Sequence, residues 1–158
     1  MRKLVSLSVL AIAVSGAVLA QSNPPAPPPA YRPGLGDLMT MTVQPRHLKV
    51  GLAGQEQNWT YAAYELHELQ ESFDRVARAW PKWRQVEIAE TIKATIPTPM
   101  DALAQAIKAR DPAKFTESYA QLTATCNACH QSANVGQVVI QVPKSSPFAN
   151  QDFRPQKQ

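Results

Sequence analysis

From Gly36 onward the apolar side chains recur at intervals of three and four rather than alternating, and Pro, Asn, Asp and Thr separate the stretches. That period is the helical one, so the sequence predicts a mostly α domain. The first stretch, roughly Asp37 to Ala53, sets Met39, Val43, His47 and Val50 along one stripe with Leu38 and Leu52 beside it. Pro45 lies inside it, deletes a backbone hydrogen bond, and predicts a kink or break near Val43 and Gln44. The second stretch is the clearest: Asn58 can cap, and Ala62, Leu66, Leu69, Phe73, Val76 and Trp80 step by four and three up to Pro81. Its other face carries Glu65, Glu68, Glu71, Asp74 and Arg75, which reads as a solvated surface. A short helix is expected around Glu87 to Ala94. Thr98-Pro99 and Asp111-Pro112 are start signals for two more, the first carrying Met100, Leu103 and Ile107, the second Phe115, Tyr119, Leu122, Cys126 and Cys129. Both cysteines are thereby expected on the buried seam of the last helix.

The pattern stops after His130. Gly136, the run Val138-Val139-Ile140, and then Pro143, Pro147 and Pro155 predict an extended tail, residues 136–158, draped over a helical domain at 35–135. At the other end, residues 21–34 include NPPAPPPAYRP, an extended, flexible proline-rich segment that cannot be helix. Residues 1–20 read as an export signal: Arg2 and Lys3, an apolar run from Leu4 to Val14, and Val18-Leu19-Ala20 before the cut. The apolar run is too short to span a bilayer, so no membrane span is expected once the signal is removed. Composition then adds little: 44% hydrophobic and 18% charged residues in a chain of 158 suit one globular domain. The net charge of +4 falls to about +2 without Arg2 and Lys3, and the basic residues are scattered, so no nucleic-acid partner is expected.

The chemistry is concentrated in Cys126-Asn127-Ala128-Cys129-His130, the CxxCH arrangement of covalent haem attachment, in which two thiols add to the vinyl groups and the next imidazole meets the iron. These are the only two cysteines in the chain, so a four-ligand zinc site lacks its partners. A thioredoxin-like dithiol would begin a helix rather than follow one. An accidental disulfide is the remaining alternative in an oxidising compartment.

A single CxxCH on the last helix of a small exported helical domain resembles the cytochrome c prime class, the four-helix-bundle cytochromes c, over roughly Gly36 to Ala133. The resemblance implies an all-α four-helix bundle with one haem c on its last helix, a periplasmic location in a bacterium, redox partner proteins, and the pairing into homodimers common in such bundles. The stretches His47-Leu48-Lys49, Ala53-Gly54, Asn58-Trp59 and Pro147 to Phe153 are also similar to a group of bacterial monohaem proteins. Pro45 and the long tail after His130 depart from the cytochrome c prime pattern.

In that class the first helix faces the distal side of the haem, and a methionine there makes the iron low-spin. Met39 matches the position, with His130 as proximal ligand; the competing role for Met39 is a core methionine filling a gap. His47, two turns later on the stripe, is the second candidate distal ligand, and Met100 a third; Met41 points elsewhere, and His67 belongs to the polar side of its helix. Trp59, Trp80 and Trp83, with Tyr61, Tyr64 and Tyr119, suit core packing as well as lining a cofactor. The expected function is single-electron transfer, with no catalytic acid, base or nucleophile in evidence. The alternatives are a gas-binding or detoxifying haem protein with an open sixth position, and a thiol oxidoreductase using Cys126 and Cys129.

Overall fold

The computed structural model describes residues 31–156; the expected export signal and the proline-rich stretch up to Ala30 lie outside the described residues. The chain runs through α1 (Leu35–Leu38), a π-helical segment (Met39–Val43), α2 (Gln44–Gln55), α3 (Trp59–Ala79), α4 (Ile88–Thr95), α5 (Pro97–Ala109) and α6 (Pro112–Ser132). No strand forms among the described residues, apart from an isolated bridge between Trp83 and Val86, so the domain is all-α as its periodicity implies. No helix among them is long and apolar enough to cross a membrane.

Pro45 neither breaks nor sharply ends the first helical arm. The Gln44 N–H donates to the Met39 carbonyl five residues back, so the turn ahead of Pro45 is widened by one residue. A proline ring in a regular helix presses on the carbonyl four residues earlier, here that of Met41, and a π turn relieves that contact without interrupting the helical run. The disturbance expected near Val43 and Gln44 therefore appears as a change of helical pitch that ends at Val43.

Asn58 caps α3, its Oδ1 accepting from the Tyr61 N–H at 3.2 Å, and Ala62, Leu66, Leu69, Phe73 and Val76 form its buried stripe. Glu65, expected on the solvated face, is instead only 1% exposed. Its carboxylate accepts from Arg46 at 2.9 Å and from the Tyr61 hydroxyl at 2.6 Å, with Lys49 Nζ 4.0 Å away. The reason is non-local: α2 packs along α3 and delivers the two cations that make burial of a carboxylate tolerable.

Helix α5 starts at Pro97, two residues ahead of the expected Pro99, and only Ile96 separates it from α4. Both prolines fall in the first turn, where no intrahelical donor is needed. Arg110, with φ 54°, closes α5 in the left-handed region, and Asp111 Oδ1 then accepts from the N–H groups of Ala113 and Lys114, each at 3.0 Å, to open α6. Helix α2 packs on α3 and α6, α3 on α5, and α5 on α6, around Val50, Leu69, Val76, Leu103, Tyr119 and Leu122. Gly51 and Gly54 let α2 approach α6 closely: a Cβ on Gly54 would lie 1.9 Å from the Phe115 ring, and one on Gly51 2.5 Å from that of Tyr119.

Both ends of the described chain are fastened to this core. The Arg32 guanidinium sits 3.7 Å over the Trp80 ring, and Trp80 Nε1–H donates to the Pro33 carbonyl at 2.9 Å. The described part of the tail forms no helix or strand and lies against the helices. Asn58 Nδ2 donates to the carbonyls of Phe153 and Arg154, the Gln151 amide donates to the Tyr61 hydroxyl, and Phe153 is buried beside Tyr61 and Phe148.

Candidate functional site

Helix α6 is buried at Phe115, Tyr119, Leu122 and Thr123, and then its seam meets a cavity. Cys126, Cys129 and His130 line that cavity and are half-buried rather than fully buried as the seam would have them, because open space takes the place of a packed helix there. The facing walls come from three places. The first helical arm supplies Met39, Thr40, Val43, Gln44 and His47; Phe73 of α3 joins Ile88, Ile92, Thr95 and Ile96 of α4 and its end; the tail supplies Val138 and Ile140. The lining is mainly apolar, and the free volume is about 100 Å³.

The orientation of His130 is fixed by the tail. Its Nδ1–H donates to the Val138 carbonyl at 2.7 Å. A carbonyl can only accept, so Nδ1 carries a proton, and the neutral ring that makes this contact is the tautomer that ligates a metal through Nε2. The tail segment is held in turn by Asn127, whose Nδ2 donates to the Ile140 carbonyl at 2.9 Å while its Oδ1 accepts from the Ile140 N–H at 2.8 Å. Neither contact is visible in the sequence, where Asn127 is one of the two unspecified positions between the cysteines.

The remaining candidates divide sharply. Met39 lines the cavity from within the π segment, whereas Met41 is 75% exposed. His47 also lines the cavity, but both of its ring nitrogens are engaged. Nε2 lies 3.0 Å from Thr123 Oγ1, which itself donates to the Tyr119 carbonyl at 2.8 Å, and Nδ1 lies 3.1 Å from the Tyr119 hydroxyl, which itself donates to the His47 carbonyl at 2.9 Å. Burial pushes the pKa of His47 down to about 4, so the ring is neutral. His67 is exposed beside Glu71, and Met100 lines a separate groove between α3 and α5. No tryptophan or tyrosine lines the cavity; Phe73 is its aromatic wall. The isoleucines of α4 and the tail residues were not singled out by the sequence, since the register of α4 and the path of the tail depend on contacts between distant segments.

Both cysteines are free thiols. Burial, followed by the neighbouring Cys129, pushes the Cys126 thiol up to about 11, and burial raises Cys129 as well. They also occupy the last two turns of α6, where the helix dipole disfavours a thiolate. Among the described residues, no group of three or more His, Cys, Asp or Glu side chains is gathered so as to hold a metal ion. Compared with known proteins, the chain matches no family model, no curated protein and no solved structure.

Proposed function

We propose that this protein is an exported monohaem c-type cytochrome of the cytochrome c prime kind, with α2, α3, α5 and α6 as its four-helix bundle, acting in single-electron transfer with redox partner proteins. The observation that carries the reading is the His130 ring, whose Nδ1–H is committed to the Val138 carbonyl and whose Nε2 is left as a ligand, on the same cavity as two free thiols. Metal-bound histidines make this same outer hydrogen bond, which fixes the ring and raises its basicity.

The residues fit the group. Cys126 and Cys129 would hold haem c through two thioethers, His130 would ligate the iron, and Val43, Phe73, Ile88, Ile92 and Ile140 would pack its apolar faces. Covalent attachment consumes both thiols, so their poor acidity suits that role better than that of a disulfide exchanger, which needs a lowered pKa. A free volume of about 100 Å³ is small beside a porphyrin, so the walls of the cavity would spread to admit one. Helix α4 is short and joined to α5 by Ile96 alone, and the tail is tied to α6 mainly by side-chain hydrogen bonds. When bound, the haem supplies a one-electron iron couple whose potential follows its axial ligands and burial. Met39, which lines the same cavity, would supply the second protein ligand to the iron in this reading, and a thioether paired with an imidazole suits a carrier with a raised potential.

Optical spectra of the reduced protein with and without carbon monoxide test the function. Sharp low-spin bands that carbon monoxide leaves in place are expected of a carrier with Met39 bound. A large shift on adding the gas would move the protein to the gas-binding class with an open sixth position.

A further inference from the structure

We infer that Asn127 is a positioning residue for His130, acting through the tail: its side chain sets the register of residues 138–140 so that the Val138 carbonyl, and no other, takes the His130 Nδ1 proton. The inference rests on the haem reading for its consequence and on geometry for its existence. Asn127 meets Ile140 as one strand residue meets another, donating to its carbonyl at 2.9 Å and accepting from its N–H at 2.8 Å. An amide is the shortest side chain that offers a donor and an acceptor side by side, so this two-point match fixes both the direction and the register of the tail. Two residues earlier along the same extended run, the Val138 carbonyl lies 2.7 Å from His130 Nδ1. The connection from α6 is short and also bonded, Val135 N–H donating to the His130 carbonyl and Val138 N–H to the Val135 carbonyl, both at 2.9 Å. Val138 and Val139 themselves are about half exposed or more, so apolar packing does little to hold this stretch. Without Asn127 the tail is free to slip, and a slip of one residue carries a carbonyl to the opposite side of the extended chain.

The consequence is electronic. An imidazole that gives a hydrogen bond to a carbonyl is a stronger donor to the metal and favours the oxidised iron. Removing the clamp is expected to favour the reduced form by up to about tenfold, which for one electron is about 59 mV upward in potential.

The test is Asn127→Ala in the full mature chain, with three readouts. Faster hydrogen exchange at the Ile140 amide, a weakened hydrogen bond from His130 Nδ1–H by its imidazole ¹⁵N and proton shifts, and a raised potential are the expected results. Faster exchange at Ile140 with an unmoved His130 Nδ1–H signal and potential would overturn the inference, as would an unchanged Ile140 amide. Phe153→Ala, which removes a buried anchor further along the tail, serves as control: an equal rise in potential there would mean general loosening and would also overturn it. A chain that carries no haem would defeat the proposed function, while the ¹⁵N readout of His130 in Asn127→Ala would still decide whether the clamp holds the hydrogen bond from His130 Nδ1–H.

Discussion

Acid should weaken this fold through His47, and the size of the effect follows from its surroundings. The ring is 4% exposed, sits 4.7 Å from the Tyr119 ring in a stack, and has Nε2 3.0 Å from Thr123 Oγ1. An unfolded histidine titrates near 6.5, whereas burial lowers this one to about 4. Between those values the unfolded chain binds more protons than the folded one, so the contribution of His47 is fully present above pH 6.5 and is lost as pH falls through 4. At about 1.4 kcal/mol per pH unit, the loss is roughly 2 kcal/mol at pH 5 and roughly 3 kcal/mol once both states are protonated. Against a total stability of about 5–15 kcal/mol for an ordinary domain, that is a large share. Urea unfolding of the wild type and of His47→Gln at pH 7.5 and pH 5 isolates the effect, since every other titrating group is common to both proteins. The wild type should lose roughly 2 kcal/mol more than the variant over that interval. Parallel losses would refute the claim that His47 is buried and neutral.

Two further predictions follow from packing and from the cavity. Gly54→Ala would gain helix propensity at an exposed site, but here its methyl would lie 1.9 Å from the Phe115 ring between α2 and α6, so it should destabilise by about 1–3 kcal/mol, read as a fall in Tm. Met39→Ala in the haem-loaded protein should abolish the low-spin spectrum, and His47→Gln should leave it in place; survival of the low-spin bands in Met39→Ala would remove Met39 as the distal ligand.

Much of the fold is legible in the sequence wherever a single element decides its own structure. The α3 stripe from Ala62 to Val76, the Asn58 cap and the Asp111 cap all depend on residues within a few positions of one another, and all appear where the pattern puts them. Pro45 signals a disturbance, but its form, a widened turn that relieves the ring's contact with the Met41 carbonyl and keeps the helix going, is one of several ways to accommodate a proline, and the local sequence does not choose among them. Glu65 marks the limit more clearly. Its position beside Leu66 and its charge both suggest solvent, and only Arg46 and Lys49, arriving on another helix, make its burial stable. The candidate site divides in the same way. Cys126, Cys129 and His130 are adjacent in the chain and speak for themselves, and Met39 reaches the cavity by the helical period. The partners that Asn127 and His130 find, Ile140 and the Val138 carbonyl, lie outside the motif and follow no periodicity, and the open end of the α6 seam follows from what fails to pack there.

The account turns on two thioether bonds from Cys126 and Cys129 to a haem. Intact mass of the mature polypeptide, purified under denaturing conditions from a bacterial host able to mature c-type cytochromes, tests it most directly. The expected result is the chain cut after Ala20 plus the mass of one haem that survives denaturation. A mass equal to the bare polypeptide would contradict it.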